Sequence, residues 1–184
     1  MKFINFIFIF LLFFQIGLAH ESNKAFFNIL QKEKIITIDA EFPWTIRNAL
    51  IKFNPKLEQA TTKKEFISTL KDYLNLNLVL IQNNGKRYDM INVKEMKKNN
   101  HSHQVNYIIT FKGEDLHHLN NSLLFNLDNN QKNFHKLVYN SSELMFTTSL
   151  NNPTFKLPKN DSSIYWWSIL LIAFLMGLIY YFKK

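Results

Sequence analysis

Residues 164–182, IYWWSILLIAFLMGLIYYF, carry no charged side chain, and no other stretch limits the fold of this chain so strongly. As an α-helix the stretch would extend about 28 Å, close to the thickness of a bilayer's hydrocarbon core. Tyr165, Trp166 and Trp167 stand at one end and Tyr180 and Tyr181 at the other, where amphipathic rings mark the membrane–water interfaces. Lys183 and Lys184 follow directly, and positive charge is retained on the cytoplasmic side. The pattern predicts one C-terminal transmembrane helix, a cytoplasmic tail at 183–184, and everything before it outside. A buried core helix and a lipid-anchor signal are the alternatives; the aromatic belts oppose the first and the terminal lysines the second.

The other end has the same character on a shorter scale. Lys2 precedes an almost unbroken apolar run from Phe3 to Phe14, and Gly17-Leu18-Ala19 offers small residues for a signal peptidase. Residues 1–19 therefore read as a cleaved secretory signal, with His20 as the first mature residue. An uncleaved anchor is the alternative, and the shortness of the apolar core opposes it.

What remains is one domain's worth of chain, expected at 20–150, with a polar, proline-containing tether at 151–163. There is no cysteine among the 184 residues, which excludes a disulfide scaffold, a thiol nucleophile and Cys-ligated metal. The formal charge of +8 falls to +5 on residues 20–163 once Lys2, Lys183 and Lys184 are set aside. That excess is modest and dispersed. It suits contact with anionic headgroups or envelope polymers, and the absence of a basic stripe interleaved with aromatics argues against nucleic acid.

Patterning within the domain is mostly that of strands. Ala25–Leu30 is short and apolar, and Ile36, Ile38, Ala40 and Phe42 alternate with Thr37, Asp39 and Glu41 as in a half-buried strand. Gln31–Lys34 reads as the hairpin between them, and Pro43 as the stop. Thr45 is placed as an N-cap for a short helix through Phe53. Thr62-Lys63-Lys64-Glu65 has the form of a capping box, followed by Phe66, Leu70, Tyr73 and Leu74 at helical spacing. Strands are expected at Leu76–Gln82, Arg87–Val93, Val105–Phe111, Ser122–Leu127, Phe134–Tyr139 and Leu144–Leu150. Asn84-Gly85 predicts a tight primed turn joining the first two of these. The expected fold class is mainly β: an antiparallel, Ig-like β-sandwich with a helical insert, plus the transmembrane helix.

Chemistry is sparse. No nucleophile elbow, zinc-protease helix, phosphate loop or dinucleotide fingerprint occurs, and Gly85 and Gly113 are the only glycines of the domain. Glu114-Asp115 reads as a solvated turn. Histidine has the one suggestive distribution. A mature start at His20 offers an α-amine and an imidazole that together chelate a metal such as copper. His101 and His103 stand two apart, on one face of an extended segment. Glu114 and Asp115 precede His117-His118 and can supply hard or supporting ligands. The competing reading is that all are polar loop residues, since none of these spacings is diagnostic.

Phe42-Pro43-Trp44-Thr45, Phe111-Lys112-Gly113-Glu114-Asp115-Leu116, Leu123-Leu124-Phe125-Asn126-Leu127 and Asn130-Gln131, within a signal-bearing chain that matures at histidine, resemble a family of small exported bacterial proteins of unknown function. The resemblance implies an envelope location and no activity. The histidine start also resembles periplasmic copper-carrier sandwiches, although their methionine-rich stretches are missing. The sequence thus predicts a membrane-anchored, non-enzymatic interaction module with an envelope protein partner. The alternatives are copper binding or delivery through His20, His101 and His103, and an enzyme whose site is assembled only in the fold.

Overall fold

The computed structural model describes residues 23–59, 62–96, 104–114, 116–139 and 142–158, together with 171, 172, 174–176 and 182. The expected signal at 1–19, the three candidate ligands His20, His101 and His103, and most of the 164–182 stretch lie outside the described residues. Among the described residues no helix is long and apolar enough to cross a membrane.

The chain is mainly β, with two sheets and few helices. In order come β1 (Lys24–Lys32), β2 (Ile35–Pro43), α1 (Ile46–Phe53), a 3-10 turn (Pro55–Gln59), α2 (Lys63–Asn77), β3 (Leu78–Gln82), β4 (Asp89–Met96), β5 (Gln104–Lys112), β6 (Leu116–Asn121), β7 (Lys132–Tyr139), β8 (Ser142–Ser149) and β9 (Thr154–Lys156). The large sheet runs β4-β5-β2-β1-β7-β8 and the small one β3-β6-β9. Every pair is antiparallel except β1 with β7, which run parallel from Lys24 opposite Lys132 to Leu30 opposite Val138. The expectation of a wholly antiparallel arrangement is corrected there. The N-terminal strand lies inside the sheet and takes β2 on one side by a hairpin and β7 on the other by a crossing of the domain.

The alternation read from the sequence decides which face is buried. Phe27, Ile29, Ile36, Ile38, Phe42, Tyr107, Ile109, Phe111 and Leu137 are buried on one face of the large sheet. Ile46 and Leu50 of α1, Leu70, Tyr73 and Leu74 of α2, and Leu78, Leu80 and Leu119 of the small sheet belong to the same cluster. Each such side chain contributes about 1.5–3 kcal/mol by leaving water. The capping box forms as expected: the Thr62 side chain accepts from the Glu65 amide and the Glu65 carboxylate accepts from the Thr62 amide. Phe42, Leu78, Ile109 and Phe125 are buried, and Phe66 is partly buried and lines a cleft.

Between the sheets lies a polar seam. The Asn121 side-chain oxygen accepts from the Leu123 amide at 3.1 Å and from Asn133 Nδ2 at 3.2 Å. Its nitrogen therefore faces His135 Nε2, 2.9 Å away, as a donor. His135 is stacked between Phe27 and Phe146, and Phe146 stacks in turn on Phe155 of β9. The Thr148 hydroxyl donates to the Asn121 carbonyl at 2.9 Å, tying β8 to β6.

Other departures have local causes. Thr45 makes no side-chain cap, because its own backbone is already helical at φ −66°, ψ −9°. After Asn83-Asn84, the Gly85 amide donates back to the Gln82 carbonyl at 3.0 Å, and only Gly85 takes positive φ. This is an ordinary turn ending in a left-handed glycine, not the primed turn, which needs two positive φ values. The strand after it, β4, leaves for the large sheet, keeping only an isolated Ile81–Arg87 bridge to β3. Ser122–Leu127 is a turn-rich loop, not a strand: the Tyr73 hydroxyl accepts from the Leu124 amide at 2.8 Å and donates to Asn126 Oδ1 at 2.8 Å. An apolar run of this length fits a buried strand and a buried loop equally well. Two strands were missed, β6 and β9. The second lies in the stretch expected to be a tether, and Leu157 after it is buried.

Candidate binding cleft

The chain leaves β2 through Pro43, and Trp44 follows before α1 begins. Ile46, the first residue of α1, is buried, and Trp44 is left 57% exposed. Trp44 stands over a cleft of about 550 Å³ between the helical insert and the β4–β5 end of the large sheet. Ile46 and Arg47 of α1, Leu57 of the 3-10 turn and Phe66 of α2 line one side, Glu95, Val105 and Tyr107 the other. The volume falls within the range of small-molecule and side-chain pockets, which are concave and mostly apolar with a few placed polar groups.

Charge sits at the mouth. Lys63, at the start of α2, bridges to Glu95 of β4 and so staples the helix to the sheet. Arg47 is exposed and has no ion-pair partner among the described residues. The Tyr107 hydroxyl is pushed up to about 12, first by burial and then by the Glu95 carboxylate, so it stays a neutral phenol at any physiological pH. The cleft offers an aromatic floor with a guanidinium beside it. The Thr62 hydroxyl, also in its lining, donates to the Glu65 carboxylate at 2.6 Å within the capping box. The cleft's capacity is to receive an apolar group carrying an acidic one, with the planar guanidinium of Arg47 matched to a carboxylate.

The metal candidates do not line this cleft among the described residues. His20, His101 and His103 lie outside the described residues, and among the described residues no three His, Asp or Glu side chains gather around a point. His117 and His118 of β6 do meet, Nδ1 to Nδ1 at 2.8 Å. Sequence reasoning missed the cleft because its lining comes from five elements with no shared spacing. Trp44, a large aromatic directly after a strand-ending proline, was the one available signal.

Two of the other segments behind the family resemblance pack against the rest of the fold. Gly113, at φ +152°, turns the chain from β5 toward β6 directly over the Tyr88 ring, and a Cβ there would lie 2.2 Å from that ring. The Tyr88 hydroxyl donates to the Glu114 carbonyl. Leu123, Leu124 and Phe125 are buried, and Asn126 Nδ2 donates to the Ala49 carbonyl at 3.2 Å, closing the loop on α1. No protein-family model matches the chain, and no curated protein matches it.

Proposed function

We propose that this chain is an exported, membrane-anchored β-sandwich domain that acts by binding an envelope protein, and that the Trp44 cleft is its contact site. The observation that carries the reading is the exposed Trp44 together with Arg47, which has no ion-pair partner among the described residues, in a cleft also lined by Phe66 and Tyr107. Large exposed aromatics and arginines are the residue types that dominate binding energy at interfaces. Two apolar stretches at the chain ends support the address, and the two sheets support the sandwich. The partner's contact is an apolar side chain next to a carboxylate.

The test is site-specific photocrosslinking in cells producing the full chain. A photoreactive residue at Trp44 should give one discrete adduct, and the same residue at Asn83, in the exposed turn away from the cleft, should give none. Arg47→Glu should abolish the Trp44 adduct while leaving the amount of chain unchanged. No adduct from Trp44, or equal labelling from Asn83, overturns the proposal.

A further inference from the structure

The small sheet carries an irregularity with chemical consequences. Along β3 and β6, Ile81 pairs with His118, but the next residue, Gln82, pairs with Leu116. His117 is thus an extra residue on β6, a β-bulge. In a regular strand consecutive side chains point to opposite faces; a bulge re-aims one of them. The burial pattern shows this: Leu116 and Leu119 are buried, and His117 and His118 between them are both partly exposed. The two rings stand nearly perpendicular, at 83°, with their Nδ1 atoms 2.8 Å apart. Adjacent imidazoles that would otherwise diverge are brought to one point at the sheet surface.

We propose that His117 and His118 form a bidentate site for a divalent copper ion, with solvent oxygens completing the coordination. Two metal–nitrogen bonds of about 2.0 Å at a right angle set their nitrogens about 2.8 Å apart, whereas a tetrahedral angle needs about 3.3 Å. The present separation is that of the hydrogen bond between the two rings, and it is already close to the spacing that a right-angled copper set needs. Copper also stands highest among the divalent first-row metals for nitrogen donors. Both imidazoles must offer Nδ1 as a lone pair, so the proton now shared between the two Nδ1 atoms moves to Nε2 of the donor ring, and the pair stays neutral overall. The site shares no residue with the Trp44 cleft, and it does not use His20, His101 or His103.

The experiment uses the full chain in detergent micelles, with His20, His101 and His103 all changed to alanine, and copper(II) sulfate as the probe. Electron paramagnetic resonance should show one tetragonal copper centre with coupling to two nitrogens. His118→Ala leaves the bulged residue in place and is the deciding variant. It should weaken binding by about tenfold or more, since even indirect partners of a metal ligand matter on that scale, with the circular dichroism spectrum unchanged. His117→Ala should do the same. Equimolar zinc should leave the copper signal intact. No nitrogen-coupled copper in the triple-alanine chain, equal affinity after His118→Ala, or displacement by equimolar zinc each overturns the proposal. Because the background lacks His20, His101 and His103, a failure here leaves binding at His20 to be judged by itself.

Discussion

Acidification should loosen the two sheets through one side chain. His135 is 3% exposed, stacked between Phe27 and Phe146, and burial holds its imidazole down at about 4, with the backbone at Phe146 and Asn133 pulling less strongly the other way. Its Nε2 accepts from Asn121, whose own oxygen is committed to Leu123 and Asn133, so a proton on Nε2 would face a donor. The folded state therefore resists the proton that the unfolded chain takes up near 6.5. Where the unfolded chain binds more protons, stability falls as pH falls. The stabilisation is complete above about pH 6.5 and is lost between there and about pH 4. From the two values the loss is about 2 kcal/mol at pH 5 and about 3 kcal/mol at pH 4. Urea unfolding followed by circular dichroism at pH 7, 6, 5 and 4 measures it. His135→Gln keeps an acceptor for Asn121 and removes the titration. It should start less stable at pH 7, having lost the aromatic stack, and should fall less steeply with acid. The other histidines are common to both chains and cancel in the difference. Parallel pH curves for the two proteins would refute this account of His135.

Gly113→Ala should destabilise the fold by about 1–3 kcal/mol, the usual cost of overpacking, because its new methyl meets the Tyr88 ring; a thermal melt equal to that of the parent would show that the β5–β6 turn gives way freely. Leu70→Ala, at 0% exposure, should cost about 2–5 kcal/mol. Met145→Ala, at 74% exposure on the outer face, should stay within about 0.5 kcal/mol in the same urea titration. A reporter fused after Lys184 should be cytoplasmic and one inserted beside Lys159 exported; the reverse pattern would overturn the proposed membrane topology.

The parts of the fold legible in advance are those where local chemistry and tertiary burial agree. Ile36, Ile38, Ala40 and Phe42 alternate because one face of β2 is fully buried and the other only half-buried, and Thr62 with Glu65 closes a helix start whatever packs on it. β6 was hidden for the opposite reason. Its bulge at His117 breaks the alternation, and its inward Asn121 is polar because it serves the seam to His135. The Asn84-Gly85 signal located a turn correctly, but the strand beyond it chose a partner in the other sheet. Partner choice is set by packing across the whole domain, which no short window of sequence contains. The same holds for the cleft. Arg47, Lys63, Phe66 and Glu95 become neighbours only through the way α1 and α2 lie against β4 and β5.

The parallel pairing of β1 with β7 also governs when the domain can close. Lys24 waits for Lys132, so the interior of the large sheet stays open until roughly the last fifth of the domain is present. Pairings between distant segments form slowly, because loop closure must precede the contacts that reward it. The β1–β2 hairpin can form early, but the other edge of β1 stays unpaired until β7 has been made, so the sheet is left with an open interior edge through most of the domain's synthesis.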